Sequence, residues 1–455
     1  MYDKRLNELK KYLNYEKKLK HNKGKRINLF PFTTRNPERA KFRKGFDGVT
    51  GEFCRLITDK SLEDDHSIMS SIENMVENRN LEFEDLDSKD KFKRMLLEYV
   101  CPEGDLEVLS PQLFSYLPLS EGDESKGEIE IASLIRDVLW AKEERIEEVL
   151  LNAEPDIVLT KFLIDNLDLL KDDEKNQKKY DKKLEHISEL FMEDFEYLLK
   201  FEDYFIDNFD KLLSYYYFYY ITQLYLNLKT EHDKKSHELY YILNWESASK
   251  KRKSYEYGYT NRIKSGSDKL LLWVYALEHL NFLFDEEGKT FYELRKLFAE
   301  MSVGEQEKII ATVNAWIGAY RKKRGLEAKD YSDDYTVLEN ALIESLGEAH
   351  EDPKLSGTQS RYFLPFDEIG KRYFLKSRGP LSYVGNITQD FLLFLTTICV
   401  KDNRIKIKEL FLRYEERGIY FDRYSKHEVK DFLNKINVLD KKSDSGDAQY
   451  VKPIL

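Results

Sequence analysis

Leu212-Leu213-Ser214-Tyr215-Tyr216-Tyr217-Phe218-Tyr219-Tyr220-Ile221-Thr222-Gln223-Leu224-Tyr225-Leu226-Asn227-Leu228 is the longest uncharged run in the chain, 17 residues between Lys211 and Lys229. A bilayer span needs about 20 predominantly apolar residues. This run is shorter, and it holds six tyrosines besides Ser, Thr, Gln and Asn. It therefore predicts a helix buried inside a soluble helical protein. Each phenol hydroxyl then needs a partner, because an unpaired hydroxyl in a dry interior costs on the order of 1–3 kcal/mol.

The surroundings agree. Between Pro155 and Pro353 lie 197 residues without proline. Apolar residues recur there at helical spacing and predict helices over about 187–209, 211–229, 268–285, 290–300 and 305–322. Acidic loops at Asp172–Glu174 and Asp285–Glu287 separate them. Just upstream, Ile131, Leu134, Ile135, Val138 and Leu139 form an amphipathic stripe. Residues 126–350 thus read as a helical, aromatic-rich domain, preceded by a mixed segment over 46–125. No fixed-period repeat is present. Glu351–Asn386 holds three of the ten prolines and four of the 20 glycines, which predicts an ordered, loop-rich linker over 351–386. Its Arg361, Lys371, Arg372, Lys376 and Arg378 alternate with Tyr362, Phe363, Tyr373 and Phe374. That pattern suits surface loops over buried rings, or the lining of an anionic groove.

Residues 387–455 read as helix, helix, helix, hairpin. Phe391–Leu395 make an apolar first helix ending near Val400. Ile405 and Ile407 mark a short strand or the start of a second helix, which Gly418 is placed to cap. Ser425 and Glu428 have capping-box spacing for a third helix with Val429, Phe432, Leu433 and Ile436 on one face. Val438–Lys441 and Ala448–Lys452 flank a polar turn containing Gly446, as in a hairpin. The outline is a winged helix-turn-helix-like module, whose third helix enters a major groove and whose wing touches backbone. Its charge, 13 basic against 11 acidic residues, leaves DNA contact and protein docking both open. Lys426, Lys430, Lys441 and Lys442 are its candidate contact residues.

The whole chain of 455 residues has a formal net charge of −11, unevenly spread. Residues 1–44 hold 15 Lys+Arg and 4 Asp+Glu, a net of +11, so the other 411 carry −22. Within this arm, taken as 1–45, Lys23, Lys25, Arg26, Arg35 and Arg39 lie among Phe30, Phe32 and Phe42. Cations beside rings suit a nucleic-acid backbone and its bases. The alternatives are a solvated arm, or one docked on the acidic remainder of the chain or on a partner.

Catalytic signatures are missing. No phosphate-cradling P-loop motif occurs, and no dinucleotide fingerprint follows a strand pattern. Cys54, Cys101 and Cys399 are far apart, which suits a reducing cytoplasm. His232 and His237 lack ligand spacing and read as surface residues. Asp156 with Asp173-Glu174-Lys175 has the letters of a metal-dependent nuclease, but in a charge-dense helical stretch. The expectation is a cytoplasmic, non-enzymatic protein without metal or cofactor.

Gly379-Pro380-Leu381-Ser382-Tyr383, Asn386-Ile387-Thr388-Gln389-Asp390 and the terminal stretch Lys442–Leu455 resemble the DptG (DndG) family. That family belongs to bacterial restriction dependent on DNA phosphorothioation, in which sulfur replaces a non-bridging phosphate oxygen of host DNA. The resemblance implies a non-catalytic subunit of an antiphage complex. It would bridge DptF-like and DptH-like partners, contact DNA, or both, with no membrane association. A winged-helix regulator or adaptor, or a cryptic nuclease, are the alternatives.

Overall fold

The computed structural model describes residues 2–455 apart from 35–40, 63–67, 79–82, 103, 153–154, 156, 168, 174–176, 229–235, 330–331 and 442–448. The described chain is mainly helical. Its first half comprises α1 (Tyr2–Tyr12), α2 (Asp47–Ile57), β1 (Lys60–Leu62), α3 (Ile68–Asn78), α4 (Leu86–Val100), α5 (Asp123–Val138), α6 (Glu144–Asn152), α7 (Val158–Ile164) and β2 (Leu170–Asp172). The middle holds α8 (Glu185–Leu198), α9 (Glu202–Leu228), β3 (Tyr240–Leu243), α10 (Lys253–Glu256), α11 (Tyr259–Arg262), α12 (Leu270–Phe284), α13 (Phe291–Glu300), α14 (Val303–Arg324) and α15 (Tyr335–Ala349). Then follow α16 (Ser356–Tyr373), β4 (Leu375–Ser377), β5 (Tyr383–Ile387), α17 (Gln389–Val400), β6 (Ile405–Lys406), α18 (Ile407–Glu416), β7 (Tyr420–Phe421), α19 (Arg423–Lys435), β8 (Leu439–Lys441) and β9 (Gln449–Val451).

Helix α9 is the axle, buried almost continuously from Leu212 to Leu226. Five of the six tyrosines in this run find the partners their burial demands. Tyr216 donates to Asp194 Oδ2 at 2.6 Å, Tyr219 to the Glu416 carbonyl at 2.7 Å and Tyr225 to the Ile263 carbonyl at 3.0 Å. Tyr215 donates to the Arg417 carbonyl, and Tyr220 accepts from the Lys183 amide at 2.9 Å. The sixth, Tyr217, is buried with no hydrogen-bond partner among the described residues. Arg417 in turn grips Asp194 through Nε and Nη2, both at 2.7 Å, and both side chains are almost wholly buried. A buried pair of this kind resists removal of either partner, which would strand the other charge.

The sequence places the break between α8 and α9 wrongly, at residue 210. The chain turns instead at 199–201. No glycine or proline marks that turn; it is dictated by packing. Folding α8 back on α9 stacks Phe195 on Phe205 and brings it against Phe209, at 5.7 and 4.9 Å between ring centres.

Residues 351–386 are also not the expected linker. Residues 356–373 form α16 straight through Pro365. Proline removes one backbone bond and strains the preceding turn. Here Tyr362, Phe363, Phe366 and Ile369 form a fully buried stripe that offsets the loss. Phe366 lies flat on Phe218, with centres 4.8 Å apart and planes at 3°. The rest of the segment supplies β4 and β5 to a four-stranded sheet ordered β4-β5-β3-β7. Strand β3 is parallel to both β5 and β7, so this sheet ties residues 240–243 to the C-terminal helices.

A separate three-stranded sheet, ordered β6-β9-β8, closes the C-terminal module. Ile405 and Leu439 both pair with Val451. Gly418, at φ +79°, ends α18 as expected, and any Cβ there would sit 2.3 Å from the Tyr219 ring. The third helix starts earlier than its capping-box letters suggest. Asp422, not Ser425, is the cap, accepting from the Tyr424 and Ser425 amides at 3.0 Å each. One apolar core runs from Leu9 to Val451 and includes Phe30, Phe32 and Phe42 of the arm. A smaller one gathers Ile72, Leu96, Val100 and Leu163.

Candidate nucleic-acid interface

The arm and the C-terminal module share a basic-aromatic composition but not a fate. Glu278, fully buried in α12, accepts from the Lys25, Arg26 and Ile27 amides at 3.0–3.2 Å. Burial raises its carboxyl above the usual range while those amides pull it back. The Arg26 guanidinium stacks on Phe282 at 4.9 Å and pairs with Asp285 and Glu287, each at 3.4 Å. Lys25 hangs over Tyr12 and Phe282, and Lys23 over Tyr362 at 5.1 Å, where burial lowers its pKa to about 8. Upstream, His21 lies 4.6 Å from His350 and 5.1 Å from Tyr275 and bonds the Tyr320 hydroxyl at 2.7 Å. Its neighbour His279 accepts from Trp316 Nε1 at 3.3 Å. Residues 21–27 are thus docked on their own chain, while Lys17, Lys18, Lys20 and Lys25 keep their ammonium groups exposed. Arg35 and Arg39 lie outside the described residues.

The cations between 361 and 378 are committed in the same way. Arg372 donates to the Phe42 and Arg43 carbonyls, Lys371 to Glu368, and Lys376 and Arg378 to Asn244. His237, read from sequence as a surface residue, is buried. Its amide donates to Gln223 Oε1 at 2.7 Å and its ring bonds Asn227 Oδ1 at 3.0 Å. His232, Asp156, Glu174 and Lys175 lie outside the described residues, whereas Asp173 bonds through its amide to the Asp59 carbonyl. Among the described residues, no group of three or more His, Cys, Asp or Glu is arranged to hold a metal ion. No helix there is long and apolar enough to cross a membrane.

Beyond the exposed lysines of the arm, a second group of exposed cations lies where the loop after β3 meets α19. Arg252 is the buried post. Its Nε and Nη2 grip Asp422 Oδ2 and Oδ1 at 2.9 and 2.7 Å. Nη2 also reaches Ser425 Oγ at 2.8 Å and Glu246 Oε1 at 2.9 Å. Ser425 donates to Glu246 Oε2 at 2.7 Å, which closes the network. Burial opposes the charge on both partners, yet their mutual bonds hold the Asp422 carboxyl below, and Arg252 above, the ordinary value. Because Asp422 already caps α19, the positive potential at this end comes from side chains rather than from open backbone amides.

Around that post stand Lys250, Lys251, Lys253 and Arg423, all exposed. Lys426, half-buried, pairs with Glu415 at 2.8 Å. Lys430 lies one turn further along the helix. Two exposed rings join them, Trp245 at 39% and Tyr424 at 52% of full exposure. Arg423 covers one face of Tyr424 at 4.7 Å. Two clefts flank the start of α19, one of about 550 Å³ on the Tyr240, Lys253 and Arg423 side. The other, about 530 Å³, lies on the Trp245, Ser247 and His427 side. Lys251, Arg252 and Tyr424 line both.

Of the residues expected at a contact surface, Lys426 and Lys430 belong to this face. Lys441 lies in β8, and Lys442 lies outside the described residues. Lys250, Lys251, Lys253, Arg423, Trp245 and Tyr424 went unread, although Lys250-Lys251-Arg252-Lys253 is visible as four consecutive cations. No model of a known protein family matches the chain, and neither does any curated protein.

Proposed function

We propose that this chain is a DNA-contacting, non-catalytic subunit of a phosphorothioation-dependent restriction complex, acting in the cytoplasm beside DptF-like and DptH-like partners. The observation that carries the DNA part is the exposed cation set of Lys250, Lys251, Lys253 and Arg423 around the start of α19, beside two exposed rings. Lysines and arginines displace condensed counterions from a polyanion, and aromatic faces take bases. The order helix, strand, helix, short strand, helix, hairpin, with β6 pairing the second hairpin strand and β7 joining β3 in the other sheet, supports reading residues 387–455 as a winged helix in which α19 is the third helix.

The restriction part rests on the resemblance at residues 379–390 and 442–455. The energy-using and cutting activities are then assigned to the partners. The test is co-purification with the products of the neighbouring genes, with and without DNA, followed by phage plating. Reversing charge at Lys250, Lys251 and Lys253 should weaken DNA binding and restriction while assembly persists. If assembly fails first, the face docks protein and the DNA reading falls.

A further inference from the structure

We propose that the groove beside α19 takes single-stranded DNA rather than intact duplex, an inference that rests on the nucleic-acid reading above and narrows it to a substrate class. The first argument is steric. An α-helix with its side chains is about 10–12 Å across and fills a major groove about 12 Å wide. A reading helix therefore needs both flanks clear. Here one flank of α19 is walled by residues 245–252. The Trp245 ring packs 5.6 Å from Phe432 and its Nε1 donates to Glu428 Oε2 at 2.9 Å, while Arg252 is bound to Asp422 and Ser425. The wall and the helix together exceed the width of the groove.

The second argument is the shape and chemistry of what remains. Clefts of about 550 and 530 Å³ lie on either side of Tyr424. Concavities of about 300–1,000 Å³ accept small ligands, and a base with its sugar is of that class. A paired base has both faces covered by its neighbours, whereas an unpaired base is free to stack on an exposed ring. Tyr424 is half exposed between the two clefts, and the Arg423 and Arg252 guanidiniums, 4.7 and 5.5 Å from its ring centre, add cations that strengthen an aromatic site's hold on a base. Lys251 and Lys253 line the cleft, with exposed Lys250 next to them in the chain, to follow the backbone. Stacking is tolerant of base identity, so recognition here should be insensitive to sequence.

The experiment uses the full chain and fluorescence anisotropy with an oligothymidine strand and with the same strand annealed into a duplex. The single strand should bind at least about tenfold more tightly. Tyr424→Leu should weaken it by about tenfold and leave the weaker duplex binding unchanged. Tryptophan quenching by the strand should disappear in Trp245→Phe. If duplex binds as well as the single strand, and Tyr424→Leu changes neither, the inference is overturned. In that case a loss caused by Lys250→Gln, Lys251→Gln and Lys253→Gln together keeps the DNA reading. If that triple variant also binds both forms normally, both statements fall. Tyr424 is half exposed, so its truncation leaves the core of α19 intact.

Discussion

The arm and the α19 face carry the same kinds of residue, but the arm divides its charge: Arg26 is paired and Lys23 is half-buried over a ring, while Lys17, Lys18, Lys20 and Lys25 stay exposed. In the arm, the Lys25 and Arg26 amides meet Glu278, and the Arg26 guanidinium meets Asp285 and Glu287, supplied by α12 and the loop after it. At α19, the ion pairs of Glu246 and Asp422 go to the buried Arg252, and Lys250, Lys251, Lys253 and Arg423 are left facing solvent. A run of cations marks an interface only where the chain withholds the matching carboxylates. Net charge over a window does not show this, because Asp285 and Glu287 lie 259 and 261 residues from Arg26.

Acid gives the strongest test of the docked half of this contrast. Burial lowers the pKa of His21 to about 2 and that of His279 to about 3. Both folded values lie below the unfolded one, so the folded state needs them neutral. Their contribution is complete above about pH 6.5 and is lost as the pH falls. At pH 5 the two together should cost about 4 kcal/mol. Asp47, lifted by burial to about 6, acts in the opposite sense. The measurement is therefore urea midpoints from pH 7.5 to 5 for the native chain against a His21→Phe, His279→Phe variant, which should lose that share of the slope.

Glu278→Ala should come next, at about 3 kcal/mol, because it strands three amides of the arm beside an apolar core. Limited proteolysis should then cut first near Lys23–Arg26. An uncut arm at unchanged stability would show that Glu278 is not its anchor.

The displayed half responds to salt. Replacing Lys250, Lys251 and Lys253 by Gln removes up to three phosphate contacts. The slope of log affinity against log salt for a single strand should shrink by about 2, and binding at 0.1 M salt should fall roughly a hundredfold. Equal slopes in both proteins would erase the contrast. Arg26→Gln should do least. It loses partly exposed ion pairs worth about 0.2–1 kcal/mol, and the salt slope should stay where it was.

Much of the scaffold was legible because its determinants are local. The tyrosine run of α9 announced its own burial, and α12, α13 and α14 fall close to their periodic stripes. What was missed depends on distant packing. Pro365 argues against a helix within any short window, and distant rings such as Phe218 and Phe32, packed on the buried stripe of α16, explain why the helix survives it. Ser425 and Glu428 spell a capping box, but the hydroxyl is turned toward Glu246 and Arg252, which leaves the cap to Asp422. The site was half legible. Lys426 and Lys430 followed from the helix pattern, whereas Lys250–Lys253 was overshadowed by the larger charge of the arm, and its approach to α19 depends on β3 lying parallel to β7.

The grip of Arg417 on Asp194 has a consequence for the birth of the protein. The two residues are separated by 223 positions. At about 5–20 residues per second of synthesis, Asp194 waits roughly 11–45 seconds on the ribosome before its guanidinium is made. During that interval the hydroxyls of Tyr215 and Tyr219 also lack the carbonyls of Arg417 and Glu416. The axle helix must therefore emerge wet and close its polar seams only when the end of the chain arrives. Holdase chaperones acting on nascent chains should engage this stretch, and a ribosome stalled before residue 416 should present it still open to hydrogen exchange.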